Sequence, residues 1–299
     1  MLQIVVLRGG ALGDVVLTLP VLQALRGFYP GCLITLVAPY PQAILARYHA
    51  DRLLDVNSGR LVGLFKPGTS FQNEVRELLR ADLILSYLSD PDRMIEQKLV
   101  LADTTKFLQG PFRLDLERRP AVEQLAQPLA ILGIASIDPV PRLTAPSPTL
   151  PLNRLAIHPG SGSRNKNWPV GHWAALLGEL MPMFEEVLLI SGEADTEIAE
   201  KVRPLIPATK LRPCFNRSLW DLVSELSQSR LFIGHDSGVT HVAAATGVVA
   251  AALFGPTDPS IWAPNGDHVI VIRSPDRTMA GLSVETVLGN VAKLLGRGC

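Results

Sequence analysis

A chain of 299 residues is long enough for two domains, each with its own core. Its 28 basic and 28 acidic residues cancel, so no whole-protein field draws nucleic acid to it. Three widely separated cysteines, Cys32, Cys214 and Cys299, form neither a disulfide framework nor a zinc spacing, and they fit a reducing cytoplasm.

Strand-like and helix-like segments alternate, the pattern of parallel α/β domains. The N-terminus carries no basic lead followed by a cleavage site, and Arg8 interrupts the first apolar run, so the chain is expected to open on a strand. The first half predicts strands at 3–7, 33–37 and 83–86 and helices at 14–28, 72–80 and 121–132. Five prolines then fall within thirteen residues: Pro139, Pro141, Pro146, Pro148 and Pro151. They forbid helix and favour an extended connector, dividing a domain of residues 1–150 from one of residues 151–299.

The second half predicts strands at 154–157, 187–190, 231–234, 248–253 and 268–272. Its helices are expected at 170–180, 195–203, 218–227, 239–246 and 283–295. The most apolar stretch, 242–255, falls short of the ~20 residues of a spanning helix. An apolar content of 47% and a mean hydropathy of +0.23 still leave room for contact with a membrane surface.

Ligands of such sheets bind at the carboxyl ends of strands, so the loops there carry the functional reading. Arg8, Gly9, Gly10, Ala11, Leu12, Gly13 and Asp14 follow the first strand and enter the first helix. The glycines permit close backbone approach, but they do not have the G-x-G-x-x-G spacing of a dinucleotide fold, and there is no G-K-[ST] of a P-loop. Asp14, on the first turn, either complements the helix dipole or serves as a general base in a cleft between the halves.

The loop after 154–157 holds Ser161 and Ser163, which can donate to phosphate oxygens, and the cations Arg164 and Lys166. Glu193 and Asp195 follow the next strand, placed either to accept from ribose hydroxyls or, for Asp195, to cap a helix. The segment 235–264 is the most telling. Asp236, Ser237 and Gly238 end a strand and open a thin helix with Ala243, Ala244 and Ala245 on it, His241 adds a polar group, and Gly247 is placed to end it. A helix start there turns free N–H groups and a positive dipole end on a phosphate or diphosphate, though a simple N-cap would use the same residues.

Together the opening LRGGALGDVVLTLPVLQALR, the middle HPGSGSRNKNWPVGHWAAL, the SGEAD turn and the closing HDSGVTHVAAATGVVAAALFGPTDP resemble glycosyltransferase family 9, the heptosyltransferases of the lipopolysaccharide inner core. The closing segment departs from the family's usual pattern in beginning with Gly234-His235 where a Ser-Asn-like pair is more common. The resemblance implies a GT-B fold: two Rossmann-like α/β domains with parallel sheets facing a central cleft, acceptor on the N-terminal side and nucleotide sugar on the C-terminal side. It implies Asp14 as base in an inverting transfer, and Lys166, Ser237 and Gly238 on the donor diphosphate with Ser161 and Ser163 nearby. By the same matching Glu193 meets the ribose, Asp236 and His241 lie near the donor sugar, and Arg8, Gly9, Gly10 and Gly13 form the acceptor-side loop.

No cofactor and no metal is implied, the donor (ADP-heptose by resemblance) being a substrate. The partners are that donor and a glycan or glycolipid acceptor, with no nucleic acid. Localisation is then cytoplasmic, with contact at the inner face of the inner membrane left open. Lys106, Arg113, Arg118 and Arg119 either meet an anionic acceptor or form a solvated basic face. Two other readings stand beside this one: a GT-B nucleotide-sugar epimerase, and a non-catalytic sugar-nucleotide-binding protein.

Overall fold

A computed structural model describes residues 1–68, 73–100, 105–116, 119–145 and 152–296 of the chain. The chain divides into two compact units, Met1–Pro141 and Arg142–Cys299. Pro146, Pro148 and Pro151 of the connector lie outside the described residues, as do Gln72, Arg118 and Cys299.

The first unit runs β1 (Gln3–Leu7), α1 (Leu12–Phe28), β2 (Leu33–Ala38), β3 (Arg52–Asp55), α2 (Val62–Phe65), α3 (Asn73–Leu79), β4 (Leu83–Ser86), α4 (Met94–Val100), β5 (Lys106–Gln109) and α5 (Ala121–Ala126). Its sheet is parallel throughout, in the order β3-β2-β1-β4-β5. Ile4, Val5, Val6 and Leu7 are all buried, as a central strand covered on both faces requires. β2 pairs with one edge of β1 and β4 with the other. The sheet therefore reverses its order at β1, and the loop leaving that strand occupies the switch point where α/β folds bind ligands.

The second unit runs β6 (Leu152–His158), α6 (Val170–Leu180), β7 (Glu186–Ser191), α7 (Thr196–Val202), β8 (Leu211–Phe215), α8 (Leu219–Ser227), β9 (Ser229–His235), α9 (Gly238–Thr246), β10 (Ala250–Phe254), α10 (Pro259–Trp262), β11 (Val269–Arg273) and α11 (Val284–Gly296). This sheet is also parallel, in the order β11-β10-β9-β6-β7-β8. Alternate residues of four central strands, among them Leu155, Ile157, Val187, Leu231, Ile233 and Leu253, share one core with Trp173 and Leu177 of α6 and Val287 and Val291 of α11. The chain builds outward from β6 through β7 to β8, then returns to set β9 on the other side of β6. That places the switch point between β6 and β9, where His158 stands in register with Gly234.

The predicted helix at 121–132 is corrected in part: it is α-helical only over Ala121–Ala126 and continues as a 3-10 helix over Gln127–Leu132. Pro128, which lacks an N–H to donate, falls where the winding changes. The predicted helix at 195–203 likewise opens as a 3-10 turn, Glu193–Asp195, before α7.

Candidate functional site

In the first unit the β1–α1 loop holds Asp14 by both carboxylate oxygens. Arg8 donates from Nη2 to Oδ1 at 2.7 Å, and the Ala11 N–H donates to Oδ2 at 2.7 Å. Arg8 is only 4% exposed, with its guanidinium 5.6 Å from the Tyr87 ring centroid. Burial pushes the guanidinium below its ordinary range, while Asp14 and Tyr87 act in the opposite direction. Arg8 thus belongs to the acceptor-side loop but turns inward, fixing the carboxylate. The Asp14 side chain remains 30% exposed, and each of its oxygens has a second lone pair for a substrate hydroxyl.

Gly10 is needed twice over, for its φ of 96° and because a Cβ there would lie 2.3 Å from Oδ2 of Asp14. Beside Gly9 and Gly10 lies a cavity of about 540 Å³, walled by Pro39, Asn57, Val62 and Phe65, with no charged side chain in its lining. Among the described residues, Lys106, Arg113 and Arg119 do not line it. Lys106 pairs with Leu83 at the start of the parallel strands, the end of the sheet opposite the β1–α1 loop. Arg113 lies over Phe112, and Arg119 lines a separate hollow with Glu123.

In the second unit the topology sets the β6–α6 and β9–α9 loops side by side, and Lys166 crosses between them. Its Nζ donates to Asp236 Oδ2 at 3.0 Å and to the Asp236 carbonyl at 3.4 Å. Ser237 caps α9, its Oγ accepting from the Thr240 N–H at 3.4 Å. The first N–H groups of a helix have no acceptor within it, which leaves those of Gly238 and Val239 for an anion beside the lysine. Thr240, His241, Val242, Ala243, Ala244 and Ala245 are all buried, and Gly247 closes the helix at φ 84°.

The two serines of the β6–α6 loop point into the loop itself. Ser161, 4% exposed, has its Oγ 2.7 Å from both the Ser163 carbonyl and the Asn167 side-chain amide. The hydroxyl proton of Ser161 therefore lies between two acceptors, the Ser163 carbonyl and Asn167 Oδ1. Ser163 Oγ lies 2.6 Å from the Asn165 amide. Both serines shape the loop that carries Lys166. Glu193 is exposed on the turn after β7.

Sequence reasoning missed the buried centre beneath this loop. His158 Nε2 lies 2.7 Å from Asp195 Oδ2, and Asp195 Oδ1 accepts from the Gly192 N–H at 2.7 Å and the Ser191 hydroxyl at 3.0 Å. Burial pushes the Asp195 carboxyl up, but His158, Gly192 and Ser191 outweigh it and hold the group below the ordinary carboxylate range. Asp195 therefore faces the sheet, and its side chain neither caps α7 nor reaches outward. The available signal was the histidine ending a strand directly before Pro159 and Gly160. A Cβ on Gly160 would lie 2.2 Å from that of Asp195. Gly160→Ala is expected to lower stability by about 1–3 kcal/mol in urea unfolding.

His235, the departure noted at the head of the closing segment, is structural. Its Nε2 accepts from the Trp168 N–H at 3.0 Å, and its ring packs edge-on against Trp173. Full burial, with His158 nearby, pushes its imidazole down to about 3, so it stays neutral. Among the described residues no group of three or more His, Cys, Asp or Glu side chains is arranged to hold a metal ion. No helix among them is long and apolar enough to cross a membrane.

The family model of glycosyltransferase family 9 (heptosyltransferase) matches residues 110–292, more than half of the chain. The chain belongs to glycosyltransferase family 9. Lipooligosaccharide heptosyltransferase 2 of Haemophilus influenzae is 22% identical over 308 aligned positions, covering 91% of this chain and 88% of that protein. The fold matches the glycosyl transferase family 9 structure from Veillonella parvula at a TM-score of 0.79 and 22% identity, over 99% of this chain and 97% of that one. It matches the ADP-heptose LPS heptosyltransferase II structure of E. coli at 0.78 and 19%, over 99% of each chain. These GT-B relatives agree with the two parallel-sheet Rossmann-like units described above. The protein is a heptosyltransferase-like glycosyltransferase, and neither the epimerase reading nor the non-catalytic one is favoured.

Proposed function

We propose that this family 9 enzyme moves a heptose from ADP-heptose to a lipopolysaccharide-core or related glycan, with inversion and without a metal. The observation that carries the reading is the α9 start: Lys166 and the N–H groups of Gly238 and Val239 converge where two strand ends adjoin. That is an arrangement for a diphosphate leaving group, whose negative charge grows as the glycosidic bond breaks. The lysine supplies the charge that a metal would otherwise supply. Binding the diphosphate draws Lys166 from Asp236, which is then released to accept from hydroxyls of the donor sugar, with His241 in the same helix. Glu193 accepts from the ribose.

Asp14 takes the proton of the acceptor hydroxyl as it attacks the anomeric carbon on the face opposite the diphosphate. Arg8 holds the carboxylate in place. The uncharged cavity beside Gly9 and Gly10 receives the acceptor sugar, its apolar face against Phe65. ADP-heptose as donor and a lipopolysaccharide-type acceptor follow the relatives' names, and a place on the cytoplasmic side, against the inner membrane, follows from such an acceptor.

The nucleotide preference is tested by thermal shift with ADP, UDP and GDP. A ligand at ~100 times its Kd stabilises the folded chain by about 2.7 kcal/mol. ADP is expected to raise the melting temperature most, and a larger rise with UDP or GDP would assign the enzyme another donor.

A further inference from the structure

Asp195, His158 and Ser237 form a continuous hydrogen-bonded line from the turn after β7, past the carboxyl end of β6, to the start of α9. Asp195, held ionised, can only accept, so its 2.7 Å contact with His158 requires the imidazole proton on Nε2. In the neutral ring Nδ1 then carries a lone pair, and Ser237 Oγ lies 3.3 Å from it. The Thr240 hydroxyl already donates to the His235 carbonyl, so at 3.3 Å from Ser237 Oγ it can act there only as an acceptor. A neutral His158 therefore draws the Ser237 proton inward, away from any anion over α9. It also leaves the negative charge of Asp195 uncompensated, one imidazole ring beneath the place proposed for a diphosphate.

A second proton on His158 reverses both effects. Nδ1–H then donates to Ser237 Oγ, freeing the serine hydroxyl to donate outward, and the imidazolium cancels Asp195. We propose that His158 is a positioning residue whose protonation turns Ser237 toward the donor diphosphate, so that donor binding takes up a proton. This rests on the reading of the α9 start as the diphosphate site.

The titratable and charged groups around His158 are Asp195 from the turn after β7 and His235 from β9, with Asp236 and Lys166, paired to one another, beside Ser237. His235 is held neutral down to about 3 and does not change charge at the pH of the test. The probe is ADP-heptose, whose diphosphate diester has no titration of its own near neutrality.

Its dissociation constant, measured by calorimetry between about pH 6 and 8, is expected to rise with pH, up to about tenfold per unit, the limit for one proton. Titrations in buffers of different ionisation enthalpy should show proton uptake on binding. His158→Gln, which can still donate to Asp195 but cannot gain a charge, is expected to flatten the profile and abolish the uptake. Asp195→Asn, as a second variant, removes the charge that favours the imidazolium and should diminish both. Tight binding with the same slope and uptake in wild type and His158→Gln overturns the proposal while leaving the donor reading intact. A wild type that binds ADP-heptose with no pH dependence does the same. A wild type that binds no ADP-heptose at any pH overturns the donor reading and this proposal together.

Discussion

Asp14→Ala is expected to lower transfer by about 10²- to 10⁴-fold, the range for removal of a general base, while ADP binding stays close to wild type. The carboxylate belongs to the first unit and the proposed diphosphate site to the second, so the loss should be confined to turnover. Asp14 also receives the Ala11 N–H, and loss of such a cap costs about 0.5–2 kcal/mol of stability. Asp14→Asn separates the two roles, because its amide oxygen can still accept from Ala11 while its amide is no base. Both variants should lose transfer, and the Asn variant should melt nearer to wild type. Transfer by either at a near wild-type rate would remove Asp14 from the chemistry and leave it as a helix cap.

Lys166→Ala is expected to act on both donor binding and turnover. Loss of one donor to the developing negative charge costs about 10²- to 10³-fold in kcat. The same change leaves the Asp236 carboxylate, 3.0 Å from the lysine in the native loop, without its cation beside the proposed diphosphate site. The KM for ADP-heptose should therefore rise as well. Adding Asp236→Asn to Lys166→Ala is expected to recover part of the KM and none of the kcat. Steady-state kinetics of the three variants decides it, and unchanged kcat and KM in Lys166→Ala would place the lysine outside the donor site.

The central strands were legible because they are buried on both faces and read as unbroken apolar runs, as in Ile4 to Leu7 and Leu231 to Ile233. The glycine and hydroxyl residues at their ends were legible for the same reason, since they break those runs. β3, β5 and β8 were not expected. Each is an edge strand, and Arg52 in β3, Lys106 and Gln109 in β5 and Arg212 and Pro213 in β8 are exposed. Pro213 is tolerated because an edge strand has no pairing partner on one side.

At the site, spacing brought Lys166, Asp236, Ser237 and Gly238 to attention, and the β6–β9 pairing places them together. Spacing could not tell which way a side chain turns. Arg8, Ser161 and Asp195 all sit on loops at strand ends, yet each is turned inward and bonded to protein groups. The His158–Asp195 pair joins residues 37 apart in sequence and depends on β6 and β7 lying side by side.

The most direct test is the product of the reaction. Purified enzyme with EDTA, ADP-heptose and a heptose-deficient lipopolysaccharide core should release one ADP per heptose transferred. Proton NMR of the new glycosidic linkage should show the anomeric configuration opposite to that of the donor. Retention of the donor's configuration, or transfer that returns only when a divalent cation is restored, would contradict a single displacement driven by Asp14 and Lys166.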